Sequence, residues 1–386
     1  MIPRLVQAKD DCCGCKSCGN VCPREAIRFL PDEYGFEYPF IDVEKCIECG
    51  KCIDVCDFRK SSDSGVTMHK PLDGYAARHK EKSVYARSTS GGVFTALAQW
   101  VLDRDGAVFG CVFDDELRAV HIEALNDEKV ALMRGSKYVQ SDMGLIHQKV
   151  KCRLEEGRWV LFTGTPCQVA GLYSYLGKAD TQTLFTVDIV CHGVPSPLTF
   201  EKYISYLSDK SHQKVTGIEF RNKMHGWARP TVVVEYEDGS KKKRSHLRDL
   251  YYEAFNHSLL QRPACFKCKY ATGNRVGDIT IGDFWGWKKA GLKMSTQEGV
   301  NCCLLNTEKA KEVFPQLEID TNSVMVESII QGNFHLRNRS RMRPEWKTVM
   351  DTIVYDGFAR YAVRFRKTHY KTVAKSYIKR VIDKLK

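Results

Sequence analysis

Two runs of cysteine constrain this chain more than any other feature. Cys12, Cys15, Cys18 and Cys22 stand three, three and four residues apart, and Cys46, Cys49, Cys52 and Cys56 repeat those intervals. Two-residue gaps let one tight loop present three sulfurs to a single centre, and soft thiolates suit iron–sulfide clusters. Structural zinc is the alternative, since it needs four ligands and tolerates these gaps, although a doubled CxxCxxC is uncommon for it. Nine of the seventeen cysteines lie within residues 1–60 of a 386-residue chain. Its start, "MIPRLVQAKDD", lacks the apolar stretch of a secretory signal, so ligation is the better reading than disulfides, and a cytoplasmic location is expected.

The runs resemble those of bacterial ferredoxins that carry two [4Fe–4S] clusters, C-x2-C-x2-C-x3-C-P. Pro23 completes the first run, whereas Asp57 stands where the second proline is usual. The resemblance covers residues 10–60. It implies that the fourth cysteine of each run serves the other cluster: Cys12, Cys15, Cys18 and Cys56 for one, Cys46, Cys49, Cys52 and Cys22 for the other. Cys13 lies outside the spacing and, with Cys111, Cys152, Cys302 and Cys303, reads as structural.

The remaining chain divides by composition. Residues 61–71 are polar enough for a linker. Residues 72–305 alternate strand-like and helix-like segments, and 306–386 read as helical and increasingly basic. "RWVLF" (158–162) and "TLFTVDIV" (183–190) are buried-strand candidates, each followed by a small-residue turn and an amphipathic segment. "STSGG" (88–92) leads into a further helical pattern. Strands alternating with helices favour an α/β domain with parallel neighbours, whose ligands gather at the carboxyl ends of the strands. The expected fold is therefore α/β (α+β overall): a ferredoxin-like head at 1–60 fused to an α/β flavin-binding domain with a helical C-terminal region.

Outside the head, Cys265 and Cys268 form another CxxC. Cys167 follows Pro166, with Thr165 as the expected helix cap, where the helix dipole favours thiolate. Cys191 ends a strand in "VCHGVPSP". These four could ligate a third cluster; the alternative for Cys167 and Cys191 is that of small buried hydrophobes. "STSGG" before a helix offers hydroxyls, close backbone approach and a helix N-terminus to a phosphate, or serves as an ordinary cap.

"STSGGVF", "RGSKYVQS", "LFTGTPCQVAGL", "DIVCHGVPSP", "FRNKMHGW" and "CKYATGNRVGDITIGDFWG" occur in the order found in the coenzyme F-420 hydrogenase/dehydrogenase beta-subunit family, and the chain resembles that family over roughly 72–350. The family consists of iron–sulfur flavoproteins. Some members exchange electrons with the deazaflavin F-420, one reduces 7-hydroxymethyl chlorophyll a, and many bacterial members are associated with surface-polysaccharide synthesis. The resemblance implies two [4Fe–4S] clusters, with a third left open, and FAD rather than FMN. It implies that Ser90, Gly91 and Gly92 lie near the flavin phosphates and that Ser136, Lys137 and Tyr138 line the flavin site. Gly164 and Thr165 fall in the turn of "LFTGTPC", among the expected cofactor-binding residues. Asp278 and Asp283 flank "ITIG" and are candidates to orient flavin or substrate, with a turn cap the alternative for Asp283.

Catalytic candidates are His192, a general acid if it titrates near neutrality, and Lys137, which would hold a phosphate or the charge of a reduced ring. Lys223 and His225, with Arg221 and Arg229, form a basic loop that could receive an anionic substrate; solvation explains such a loop nearly as well. The expected activity takes electrons from reduced ferredoxin or a similar carrier, through the clusters to the flavin, and on to an organic small molecule. Its rivals are a subunit that exchanges electrons with F-420 and a non-catalytic electron-transfer subunit.

The net charge of +12 is uneven: residues 363–386 hold nine Lys or Arg against one acid. Such a segment can lie peripherally on the inner face of a membrane, meet an acidic ferredoxin or pack on its own domain. No span is apolar enough to cross a membrane, no nucleic-acid reader motif occurs, and the oligomeric state is left open.

Overall fold

A computed structural model describes residues 5–61, 64–292 and 294–365. The head is a hairpin of β1 (Ile27–Pro31) and β2 (Glu37–Ile41) set between the two cysteine runs. Its turn is closed by Asp32, whose Oδ1 accepts from the backbone N–H of Tyr34 (3.0 Å) and Phe36 (2.9 Å). The body contains β3 (Asp73–His79), β4 (Ala107–Phe113), β5 (Ala119–Ala124), β6 (Val160–Gly164) and β7 (Leu184–Ile189). There follow β8 (Val215–Asn222), β9 (Thr231–Tyr236), β10 (Lys241–Ser245), β11 (Ile279–Asp283), β12 (Asn301–Leu305) and β13 (Ile319–Ser323).

Eight of these form one mixed sheet in the order β13-β3-β12-β11-β7-β6-β4-β5. Its centre, β11-β7-β6-β4, is parallel, and the outer pairs are antiparallel. The expected α/β class holds. The centre is parallel because "AVFGCVF", "VLFTG" and "LFTVDI" are nearly continuous apolar runs that need cover on both faces. Helix Val93–Leu102 packs Val93, Leu97 and Val101 with Val108, Leu161 and Phe185. Helix Pro166–Leu176 packs Val169 and Leu172 with Phe109 and Phe162 in a second cluster. That helix begins as its sequence requires, with Thr165 as cap and proline at its first position.

Two features depart from the expected organisation. The sheet does not end near residue 305: β13 pairs with β3 as its edge strand. "IDTNS" carries one buried position in five, so it has no alternating apolar signal. Strands β8, β9 and β10 form a separate antiparallel sheet. Among the described residues no helix is long and apolar enough to cross a membrane. The basic segment 366–386 lies outside the described residues.

Head and body meet along a polar seam. Arg262 is 1% exposed and donates from all three nitrogens: Nε to Cys12 O (2.6 Å), one terminal nitrogen to Gln140 Oε1 (3.0 Å), the other to Glu37 O (2.8 Å). Lys16 reaches Glu37 and Asp142, each at 2.6 Å. Asp57 is buried; its Oδ1 accepts from Val66 N–H (2.6 Å), and its Oδ2 takes the Tyr270 hydroxyl and the Lys269 ammonium. The residue in place of the usual proline thus ties the loop of Cys56 to the loop of Cys268. Removing the Arg262 guanidinium would strand several buried acceptors, each at about 1–3 kcal/mol. Arg262→Leu is therefore expected to destabilise the anaerobic holoprotein by about 3 kcal/mol or more in urea unfolding; a loss below about 1 kcal/mol would show that the seam does not depend on it.

Candidate functional site

The two head runs fold alike. Lys16 and Gly50 occupy the same place, each just after the second cysteine, each left-handed (φ 60° and 76°) and each opening a one-turn helix. Glycine adopts that conformation freely, whereas lysine does so at about 1–2 kcal/mol; the two ion pairs of Lys16 hold it there.

The thiols fall into sets by their effect on one another. The Cys18 thiol is pushed well up, by burial first and then by Cys15, Cys12 and Cys56 around it. Cys52 is raised by burial and by Cys22, Cys49 and Cys46. Backbone N–H groups point at sulfur in both sets, from Ala26 to Cys22 (3.3 Å) and from Glu48 to Cys46 (3.4 Å).

A third set lies across the seam. Cys191 is raised by burial and by Cys265, Cys167 and Cys268. Cys265, pushed up to about 12 by burial, responds to Cys268 and Cys167 as well. Its sulfur accepts from Val194 N–H (3.4 Å), and that of Cys191 from Gly193 N–H (3.3 Å). Gly193, at φ +100°, has to be glycine because a Cβ would fall 3.1 Å from that of Cys265. The Cys167 thiol is lowered, by its contact with Cys13 first and with Thr165 next, not by the helix dipole alone. Cys13, set aside by spacing, touches both Cys15 and Cys167 and so joins the first set to the third. Among the described residues no three His, Cys, Asp or Glu side chains converge as a single ion requires.

A cavity of about 570 Å³ opens at the carboxyl ends of β6, β7 and β11, the crevice expected of a parallel centre and within the usual range for ligand pockets. Ser90, Gly92, Ser136, Lys137, Tyr138, Gly164, Thr165, Asp283, His192 and Cys191 all contribute to its wall. Cys191 therefore belongs to both the third thiol set and the cavity. Arg221 is buried in the same wall. It pairs with Asp283 (2.7 Å) and lies 5.7 Å from the centre of the Trp285 ring, while its Nε has no hydrogen-bond partner among the described residues. The Trp227 Nε1–H donates to Asp283 (3.1 Å), and the two indoles stack at 5.1 Å. Gly92 begins the adjacent helix at φ +87° with no capping side chain.

Several expected roles do not survive this geometry. Gly91 is absent from the wall; a Cβ there would strike Ala77 O at 2.3 Å, so the residue serves close packing on β3. Asp278 is buried within the sheet, accepting from Thr186 N–H (2.8 Å) and the Thr307 hydroxyl (2.9 Å), and cannot orient a ligand in the cavity. Lys223 donates to the carbonyls of Tyr85 (2.7 Å) and Glu298 (2.8 Å) and to Ser90 O, while His225 and Arg229 face solvent. The basic loop therefore does not gather into one receptor, and only Arg221 reaches the cavity. Lys137 donates to the carbonyls of Leu132 (2.9 Å) and Arg134 (2.8 Å); burial brings its ammonium down to about 8, with Cys111 opposing. His192 stacks on His335 at 4.2 Å, and burial with that neighbour holds it down to about 3. It is neutral at pH 7 and does not titrate there. None of these partners lies near in sequence, and only Arg221, within "FRNKMHGW", was accessible to motif reading.

Fold and thiol sets define an iron–sulfur electron-transfer protein. Residues 157–329 belong to the family described as the C terminus of the Coenzyme F420 hydrogenase/dehydrogenase beta subunit, and residues 11–59 are a 4Fe-4S dicluster domain. An uncharacterized polyferredoxin-like protein of Methanocaldococcus jannaschii is 40% identical over 63 residues, which make up 14% of this chain and 37% of that protein, so the match spans about a third of the relative. A chain of the F420-reducing [NiFe] hydrogenase complex from Methanosarcina barkeri is 18% identical, with 75% of this chain and 94% of that chain covered, at a TM-score of 0.46. A likeness of that size carries no argument about chemistry.

Two other buried imidazoles give a pH prediction. Burial holds His121 down to about 4 and His147 to about 3, below the unfolded value near 6.5. Depressed folded values mean that the unfolded chain binds the protons first, so stability is full above about pH 6.5 and falls as the pH drops toward 4. Thermal unfolding from pH 7.5 to 5 should show this fall, and His147→Phe should lessen it. An unchanged slope in that variant would remove His147 from the account.

Proposed function

We propose that the chain is an iron–sulfur flavoenzyme that takes single electrons at the head and delivers them to an organic substrate in the cavity. The observation that carries this reading is the double membership of Cys191, in the third thiol set and in the cavity wall. In this reading Cys12, Cys15, Cys18 and Cys56 hold one [4Fe–4S] cluster, and Cys22, Cys46, Cys49 and Cys52 hold another. Cys167, Cys191, Cys265 and Cys268 hold a third, with Cys13 between the first and third sets. The donor sets fit, since each offers four thiols with backbone N–H groups aimed at sulfur.

The cavity fits a flavin, which would supply the exchange between single electrons and two-electron organic chemistry. Arg221, with its Nε unpartnered, supports an anionic group of cofactor or substrate, and Asp283 fixes the guanidinium in place. Gly92 leaves the start of helix Val93–Leu102 open to close approach, and the Ser136 and Thr89 hydroxyls, 3.0 Å apart, add polar contacts beside it. Lys137 is a positioning residue here: its ammonium ties the 132–135 loop that forms one wall. The neutral, stacked His192 and His335 close the wall beside Cys191 without changing its charge, so the proton for substrate reduction comes from another group or from water. Ferredoxin as electron source, FAD as the flavin and a role in surface-polysaccharide synthesis belong to the same proposal, supported by the family to which residues 157–329 belong.

Anaerobic purification with iron, sulfide and flavin quantification tests it. About twelve irons and one flavin per chain are expected, and Cys265→Ala should remove about four irons. About eight irons with no flavin would overturn the reading, and bleaching of the flavin by reduced F-420 alone would turn it toward an F-420 subunit.

A further inference from the structure

A second surface leads to the third thiol set without passing through the head. Residues 337–343 read "RNRSRMR", four arginines in seven positions with no acid. All four arginines are exposed. Arg337 donates to the carbonyls of Ile330 (3.2 Å) and Gln331 (3.0 Å), whereas Arg339, Arg341 and Arg343 have no hydrogen-bond or ion-pair partner among the described residues. Lys267 extends the positive field; it pairs with Asp10 at 2.7 Å and feels the charge of Arg339. Met342, half exposed, supplies an apolar centre among these cations.

The loop is fixed over the thiols. Ser340 is buried, and its hydroxyl donates to His192 O (2.7 Å), one residue beyond Cys191. Trp346, just after the loop, donates from Nε1 to Gln261 O (3.0 Å), four residues before Cys265. Between loop and body lies a cavity of about 750 Å³, and Cys268 forms part of its wall together with Lys267, Arg339, Arg341 and Met342. A rigid, basic, partly apolar rim around a buried thiol set is the complement of an acidic electron carrier: the cations steer the encounter, and the cavity shortens the path to the redox centre.

We propose that this face docks a small acidic iron–sulfur carrier protein, which exchanges electrons directly with the third cluster. The inference rests on the third cluster of the proposed function. In each encounter the reduced carrier loses one electron and the third cluster gains it, with no bond made or broken and no proton moved. The outer edge of the head offers no such charge signature: around the exposed Cys49, Lys45 and Lys51 are offset by Glu44, Glu48 and Asp54, with Val43 and Ile47 as the apolar surface.

The test is stopped-flow reduction of the anaerobic holoprotein by a reduced plant-type [2Fe–2S] ferredoxin, read as the second-order rate constant against ionic strength. The proposal expects a rate that falls steeply with salt. A double charge reversal, Arg339→Glu with Arg341→Glu, should slow it about tenfold or more at low salt and flatten its salt dependence. Reduction by methyl viologen radical should be unchanged in that variant, which reports an intact fold and intact clusters. Ile47→Asp at the head edge should leave the ferredoxin rate alone. An unaltered rate in the arginine variant, or a slowed one in Ile47→Asp instead, overturns the docking face. Iron content tests the third cluster separately: about twelve irons with no arginine effect reject the docking alone, whereas about eight irons reject the cluster on which it rests.

Discussion

The structure depends on one buried guanidinium. Arg262 sits where the head meets the body, among Cys12, Cys13 and Cys265, and its three donors are shared between a head cysteine carbonyl, a head strand and a body side chain. A buried cation of this kind is costly unless all of its hydrogen bonds are made, so it fixes one register between the modules. It also places positive charge between two groups of thiols that carry negative charge when ligated. Without that register, the contact of Cys13 with Cys15 and Cys167 would not form, and the head would be a tethered module instead of part of one packed body.

From that seam the path to the cavity is short in structural terms. The third thiol set draws on the start of helix Pro166–Leu176, the end of β7 and the loop of Cys265 and Cys268. The first two are edges of the parallel centre where a ligand crevice forms for topological reasons. The same arrangement explains the neutral character of much of the wall. His192 and Lys137 are committed to packing and backbone carbonyls, and the net polarity of the cavity rests on Arg221 and Asp283. Asp57 repeats the logic of Arg262 from the head side, with a carboxylate that links two cysteine loops through Tyr270 and Lys269.

What the sequence made legible follows from where the signals are local. The cysteine intervals, the cap and proline at Thr165 and Pro166, and the apolar runs of β6 and β7 are each contained within a few residues, and each forms the expected element. Cys13 was unreadable because its importance lies in contact with Cys167, 154 positions away. Strand β13 was unreadable because its polar sequence is held by pairing with β3 alone. Lys223 and Lys137 looked like receptors of anions because a basic residue near a glycine turn has that appearance in one dimension; in three dimensions the nearest acceptors are their own backbone. The basic loop at 337–343 was visible as composition, but its position over Cys268 depends on the anchoring of Ser340 and Trp346.

The central claim is that the head and body redox centres form one connected path across the Arg262 seam. Low-temperature EPR of the dithionite-reduced, fully loaded holoprotein tests it most directly. Clusters held as close as the Cys15–Cys13–Cys167 contact requires should interact magnetically, giving split, fast-relaxing signals beyond those of isolated reduced clusters. A spectrum that is the simple sum of independent, non-interacting clusters would contradict the account.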